Sequence, residues 1–134
     1  MKTLFSTKVI NEGGRKGKSY AEDGTFEVDI APPETNVENT TNPEQLFAAG
    51  YSACFNSALD ILKRQQKISG ASTITVVVHL VEKAPFDYVL SVEIEGHIEG
   101  LSTVETERLL MQTHKVCPYS KATEGNINIT IKAV

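Results

Sequence analysis

Thr41-Asn42-Pro43-Glu44-Gln45-Leu46-Phe47-Ala48-Ala49-Gly50-Tyr51-Ser52-Ala53-Cys54-Phe55-Asn56-Ser57-Ala58-Leu59 reads as a capped, nearly all-apolar helix carrying one thiol. Asn42 offers an N-cap oxygen, and Pro43 suits the first helical position, where its missing N–H would have no partner anyway. Glu44 places negative charge at the positive end of the helix dipole. The pattern predicts a helix from Pro43 to about Lys67. Apolar residues cover all its sides up to Phe55, so its first half is expected to be buried all round, while Lys63, Arg64, Gln65 and Gln66 make the far end wet.

Outward from this segment, the chain has 134 residues and a formal net charge of -4. That length suits one domain, residues 1–134, with a sizeable core. A mild, dispersed negative charge offers no basic patch, which argues against a nucleic-acid partner. Met1 to Lys8 turns polar too soon for a secretory apolar region, and the apolar run Leu46–Leu62 is broken by Asn56, Ser57 and Asp60. A cytosolic protein without a membrane partner is therefore expected. Cys54 and Cys117 lack C-x-x-C spacing, against a structural zinc site and against a secreted disulfide scaffold. Composition leaves two readings open: two buried free thiols, or a pair that cycles between dithiol and disulfide.

Thr3–Ile10 reads as a first strand ended by Asn11-Glu12-Gly13-Gly14, with Arg15 just beyond the glycine turn. Lys18–Ala21 and Thr25–Ile30 read as two strands joined through Asp23-Gly24, with Phe26, Val28 and Ile30 on one face. Ala31–Thr40 is a loop leading to the helix. Ser72–Glu82 and Tyr88–Glu99 form a hairpin through Lys83-Ala84-Pro85-Phe86-Asp87, and the second strand alternates with Tyr88, Leu90, Val92, Ile94 and Ile98 inward. Ser102-Thr103-Val104-Glu105 is a capping box opening a second helix, which Pro118 should end at Cys117. Ile127, Ile129 and Ile131 mark a closing strand. This order gives an α+β domain of antiparallel sheet with helices packed on it.

An unperturbed thiol near pKa 8.5 is only about 3% thiolate at neutral pH, and apolar burial lowers that fraction. Cys54 lies about 18 Å from the helix cap, beyond reach of the dipole. Activation thus calls for a nearby cation. Arg15 is either that cation or an ordinary exposed turn arginine.

Gly13-Gly14-Arg15, the run Asn42–Phe55, and Val116-Cys117-Pro118-Tyr119-Ser120 followed by Ala122-Thr123 and Gly125-Asn126-Ile127 together resemble the organic hydroperoxide resistance proteins of the osmotically inducible protein C superfamily. The resemblance spans essentially the whole chain in order. It implies an OsmC-like fold, with antiparallel sheets around a long buried central helix in an intertwined homodimer. It implies a thiol peroxidase with Cys54 peroxidatic, Cys117 resolving, Arg15 the cationic partner of the thiolate and Glu44 the carboxylate holding the arginine. Bulky alkyl or lipid hydroperoxides would be the substrates and a lipoyl-type dithiol or lipoylated protein the reductant, with no metal, flavin or other bound cofactor. Phe47, Tyr51 and Phe55 are candidates to line an apolar substrate pocket, or simply core residues.

Glu44 and Cys54 are ten residues apart, about 15 Å of rise on a straight helix. If both serve one arginine, either Arg15 alternates between or bridges them, or the helix is interrupted near Gly50-Tyr51-Ser52; the interruption is expected. Two rival readings compete: a cysteine hydrolase using Cys54 with His114 or a redox-inactive thiol enzyme, and a non-catalytic module binding a lipophilic ligand with inert cysteines.

Overall fold

A computed structural model describes the whole chain, Met1–Val134. It divides into two compact units, Met1–Leu46 and Phe47–Val134, whose boundary falls in the first turn of the long helix.

The first unit is a small four-stranded sheet, ordered β1 (Ile10–Glu12), β2 (Lys18–Tyr20), β3 (Glu27–Ile30) and β4 (Thr40–Thr41). β1–β2 and β2–β3 are antiparallel, as the turn residues predict, but β4 runs parallel to β3. The hairpin reading of Asp23-Gly24 holds: Asp23 Oδ1 accepts from the Thr25 backbone N–H at 3.0 Å, and Gly24 has φ of 79°. The expected strand Thr3–Ile10 is corrected, since β1 begins only at Ile10 and the preceding residues pair with no strand. A strand exists only where a neighbour accepts its hydrogen bonds. Leu4 and Phe5 are accordingly 81% and 82% exposed.

The second unit holds the core. The helix α1 spans Pro43–Gln65, followed by β5 (Ser72–Ala84) and β6 (Asp87–Ile98), then α2 (Thr103–Val116), α3 (Pro118–Thr123) and β7 (Asn128–Ala133). β5 and β6 form a long antiparallel hairpin, and β7 adds to β6 in parallel, with Val92 beside Ile129 and Ile94 beside Ile131. Alternation along β6 buries Val92, Ile94 and Ile98, as read from the sequence, but Tyr88, also read as inward, is 53% exposed near the hairpin end. These meet Tyr51, Phe55, Ala58 and Leu59 of α1 and Leu109 and Leu110 of α2 in one cluster. Each such side chain contributes about 1.5–3 kcal/mol when wholly buried.

α1 starts as expected: Asn42 Oδ1 accepts from the Gln45 N–H at 2.8 Å. Its burial is one-sided, which corrects the expectation of a first half buried all round. Gln45, Ala49, Ala53 and Ser57, four residues apart, form an exposed stripe opposite the core face. Lys63 is not part of a wet end either: it is buried, with Nζ 3.2 Å from Ser72 Oγ and 3.6 Å from Asp60. Its long aliphatic stem packs while its ammonium stays paired.

Candidate active site

The four residues singled out in the sequence come together as two pairs, one in each unit. In the first, Asn11-Glu12-Gly13-Gly14 makes a tight turn in which Gly13 and Gly14 have φ of 84° and 60°, a region costly for other residues. Asn11 braces it: its Oδ1 accepts from the Gly14 N–H at 2.9 Å, and its Nδ2 donates to the Lys18 carbonyl at 3.1 Å. The short 3-10 turn Gly14–Lys16 then projects Arg15. Its guanidinium forms a two-pronged pair with Glu44, Nη1 to Oε2 at 2.9 Å and Nη2 to Oε1 at 2.6 Å. This fork matches the planar carboxylate and fixes orientation as well as charge. The hydrogen bond from Arg15 holds the Glu44 carboxyl below its ordinary pKa, and the same bond raises that of Arg15. The Arg15 side chain is 51% exposed and that of Glu44 16%. The arginine is therefore a braced ion-pair partner, held in one orientation.

In the second unit, the sequence Val116-Cys117-Pro118 does more than end a helix. Cys117 has φ -59° and ψ 123°, the extended conformation a following proline favours. Its N–H still closes α2 on the Thr113 carbonyl at 2.9 Å, while its carbonyl accepts from the Lys121 N–H at 3.0 Å to open α3. Proline at the first position of a new helix is a start signal as much as a stop signal. The sequence reading took only the second meaning and missed α3.

Cys117 is fully buried at this junction, and its thiol faces Cys54 of α1 with the sulfurs 3.5 Å apart. Both are free thiols, Cys54 half-buried. Burial pushes the Cys54 thiol above its ordinary pKa; the backbone N–H of Tyr119 draws it down, and the neighbouring Cys117 raises it again. In this arrangement the dithiol does not activate itself.

α1 is one uninterrupted helix, so the expected break near Gly50 is corrected. Gly50 serves close approach instead: a Cβ there would lie 2.7 Å from the Tyr119 hydroxyl oxygen. Arg15 meets Glu44 in the helix's first turn, and the unbroken helix keeps Glu44 about 15 Å of rise from Cys54, so one arginine serving both has to alternate between them. Tyr51 and Phe55 are fully buried, whereas Phe47 and Tyr119 retain exposed surface. The rings of Phe47 and Tyr119 are 6.3 Å apart, and both pack on Tyr51 at 5.9 and 5.7 Å. His114 lies in the last turn of α2, and its Nδ1 is buried without a hydrogen-bond partner. No hydrogen bond joins that nitrogen to Cys54 or to Cys117, which weakens the hydrolase reading. No group of His, Cys, Asp and Glu side chains is arranged to hold a metal ion, and no helix is long and apolar enough to cross a membrane.

A helix-packed α+β chain with two apposed free thiols belongs to a recognisable class, and the family model described as OsmC-like protein matches residues 36–132. The chain belongs to the OsmC-like family and, within it, to the organic hydroperoxide resistance proteins. It is 44% identical over 134 residues to the organic hydroperoxide resistance protein OhrA of Bacillus subtilis, covering 96% of this chain and 95% of the relative. An organic hydroperoxide resistance protein-like relative from Staphylococcus aureus is 44% identical over 130 residues, with 95% and 93% covered. Among solved structures, OhrB of Bacillus subtilis superposes with a TM-score of 0.90 at 35% identity, covering 98% of this chain and all 100% of that one. An organic hydroperoxide resistance protein from Legionella pneumophila gives 0.89 at 40% identity, with 98% of both chains covered.

Proposed function

We propose that this protein is a cysteine-based organic hydroperoxide reductase of the oxidative-stress response. The observation that carries the reading is the 3.5 Å approach of two free sulfurs, Cys54 on a rigid helix and Cys117 at a helix junction. A disulfide needs about 2.05 Å, so a shift of about 1.5 Å closes it. The Cys54 thiolate attacks the terminal oxygen of ROOH; the O–O bond breaks, the alkoxide takes a proton and leaves as ROH, and Cys54 becomes a sulfenic acid. The Cys117 thiol then displaces water to form the disulfide, and an external dithiol of the lipoyl type, free or on a lipoylated protein, returns both thiols by exchange. Two sulfurs carry the whole redox change, so the cycle calls for no metal or flavin.

Arg15 is assigned as the cation that favours the thiolate and stabilises charge on the departing oxygen, with Glu44 holding the guanidinium. Support comes from the resemblance at these positions and from the two-pronged pair itself. Phe47 and Tyr119 give the substrate side its apolar character, suited to alkyl or lipid groups. A cytosolic location fits two cysteines kept as thiols. A homodimer is the proposed working unit, supported by the apolar residues Leu4 and Phe5 left without cover in one chain. Peroxide consumption with a dithiol against a monothiol reductant tests the function, and light scattering in solution tests the dimer. Consumption of organic hydroperoxide by the dithiol-fed protein is expected; an inert protein would return the thiols to a packing role.

A further inference from the structure

Closure of the disulfide requires that Cys117 stay within reach of Cys54 after the sulfenic oxygen has been added, and α3 contains no core residue of its own that would enforce this. Beside the partly exposed Tyr119 ring, which packs on Tyr51, what fastens it to α1 is polar. Tyr51, fully buried, lies one helical turn before Cys54 and turns its hydroxyl to Ser120 Oγ at 2.8 Å and Thr123 Oγ1 at 3.2 Å. Thr123 Oγ1 in turn donates to the Tyr119 carbonyl at 3.0 Å. Each hydroxyl has one proton, so a single consistent chain runs from Ser120 to Tyr51 to Thr123 to the Tyr119 carbonyl. Ser120 is also fully buried, and water cannot replace either partner. The segment thus tied begins at Cys117, whose sulfur faces that of Cys54.

From this geometry we infer that Tyr51 and Ser120 are positioning residues for the resolving step, holding the Cys117–Thr123 segment on α1 so that the sulfenic acid closes on Cys117 before a second peroxide reaches it. The inference rests on the peroxide-cycling reading of the two cysteines. In the step concerned, the Cys117 sulfur attacks the sulfenic sulfur of Cys54. The S–O bond breaks as the S–S bond forms, and the oxygen leaves with its own hydrogen and the thiol proton as water. Neither hydroxyl takes part; they act through the placement of α3. If the segment swings away, the lifetime of the sulfenic acid grows and a second equivalent carries it to sulfinic acid, out of the cycle.

The test compares the parent full-length protein with Ser120→Ala, Ser120→Thr, Tyr51→Phe and the double variant Tyr51→Phe/Ser120→Ala, each checked for folding by circular dichroism. Cumene hydroperoxide is the probe, and quenched samples are read by mass spectrometry for sulfenic, disulfide and sulfinic forms. In Ser120→Ala, oxidation of Cys54 is expected within about twofold of the parent while disulfide closure slows about tenfold, the effect of losing one buried hydrogen bond. Sulfinic acid should accumulate under excess peroxide. Ser120→Thr restores closure, and the double variant is no slower than Tyr51→Phe alone, because both remove one interaction. Unchanged closure in folded Ser120→Ala would overturn the inference, as would equal slowing of both steps. Should Tyr51→Phe not fold, the Ser120 pair of variants still decides. A parent protein that forms no disulfide at all contradicts the peroxidase reading itself, a result distinct from either.

Discussion

The two side-chain pairs of the candidate site are held in opposite ways. Arg15 and Glu44 are a charged pair with one member half exposed, fixed by a glycine turn, by Asn11 and by the fork geometry of the guanidinium. Cys54 and Cys117 are a neutral, largely buried pair, fixed by a continuous helix and by the junction of two others. A charge can be oriented from a short, thinly packed sheet because its hydrogen bonds are directional and strong. Sulfur, a poor hydrogen-bond former, must be placed by packing instead. The lesson is a division of labour: polar directionality places the cation, and core rigidity places the thiols.

Breaking the thiol side should have the largest effect. Cys54→Ser removes the nucleophile, and hydroperoxide consumption is expected to fall on the order of 10³-fold or more in steady-state assays. Arg15→Ala should come next, lowering the rate of Cys54 oxidation by about 10²-fold, the scale of losing one preorganised charge donor. Arg15→Lys should not restore it, since a lysine lacks the fork that Glu44 grips. Stopped-flow oxidation by an organic hydroperoxide measures both.

The two sides should also differ in pH dependence. Glu44 has a lowered folded pKa, so its stabilising contribution is fully present above the ordinary carboxylate range and is lost as pH falls through the folded value. Cys54 has a raised one, so in the reduced protein its contribution is present below the ordinary thiol range and is lost as pH rises through the folded value. Thermal melts from pH 3 to 10 should therefore lose acid-side slope in Glu44→Gln and alkaline-side slope in Cys54→Ser. The smallest effect belongs to Gly50→Ala. The helix gains about 1 kcal/mol from alanine, against about 1–3 kcal/mol for crowding the Tyr119 ring. A net loss of 0–2 kcal/mol, about that much in a denaturant titration, is expected.

Much of this was legible locally. The Asn42-Pro43-Glu44 cap, the Ser102 to Glu105 capping box and the alternation of β6 are short-range patterns, and each element formed where its pattern stood. Arg15 stood out because two glycines precede it. What escaped depends on distant partners. Thr3 to Val9 reads as a strand yet finds no neighbour, and the parallel edges β4 and β7 are set by chain return rather than by local period. Gly50 invited a kink because glycine weakens a helix, but its role is fixed by a tyrosine about seventy positions on. The hydroxyl chain of Tyr51, Ser120 and Thr123 gave no sequence signal beyond a serine and a threonine three apart. Its meaning came only with the buried tyrosine that faces them.

The central claim is that Cys54 and Cys117 form one redox pair. Adding one equivalent of an organic hydroperoxide to the fully reduced protein, then quenching and mapping peptides by mass spectrometry, tests it directly. The account predicts loss of two hydrogens and a Cys54 to Cys117 link within a single turnover. Two unchanged thiols, or a stable oxidised Cys54 beside a free Cys117, would contradict it.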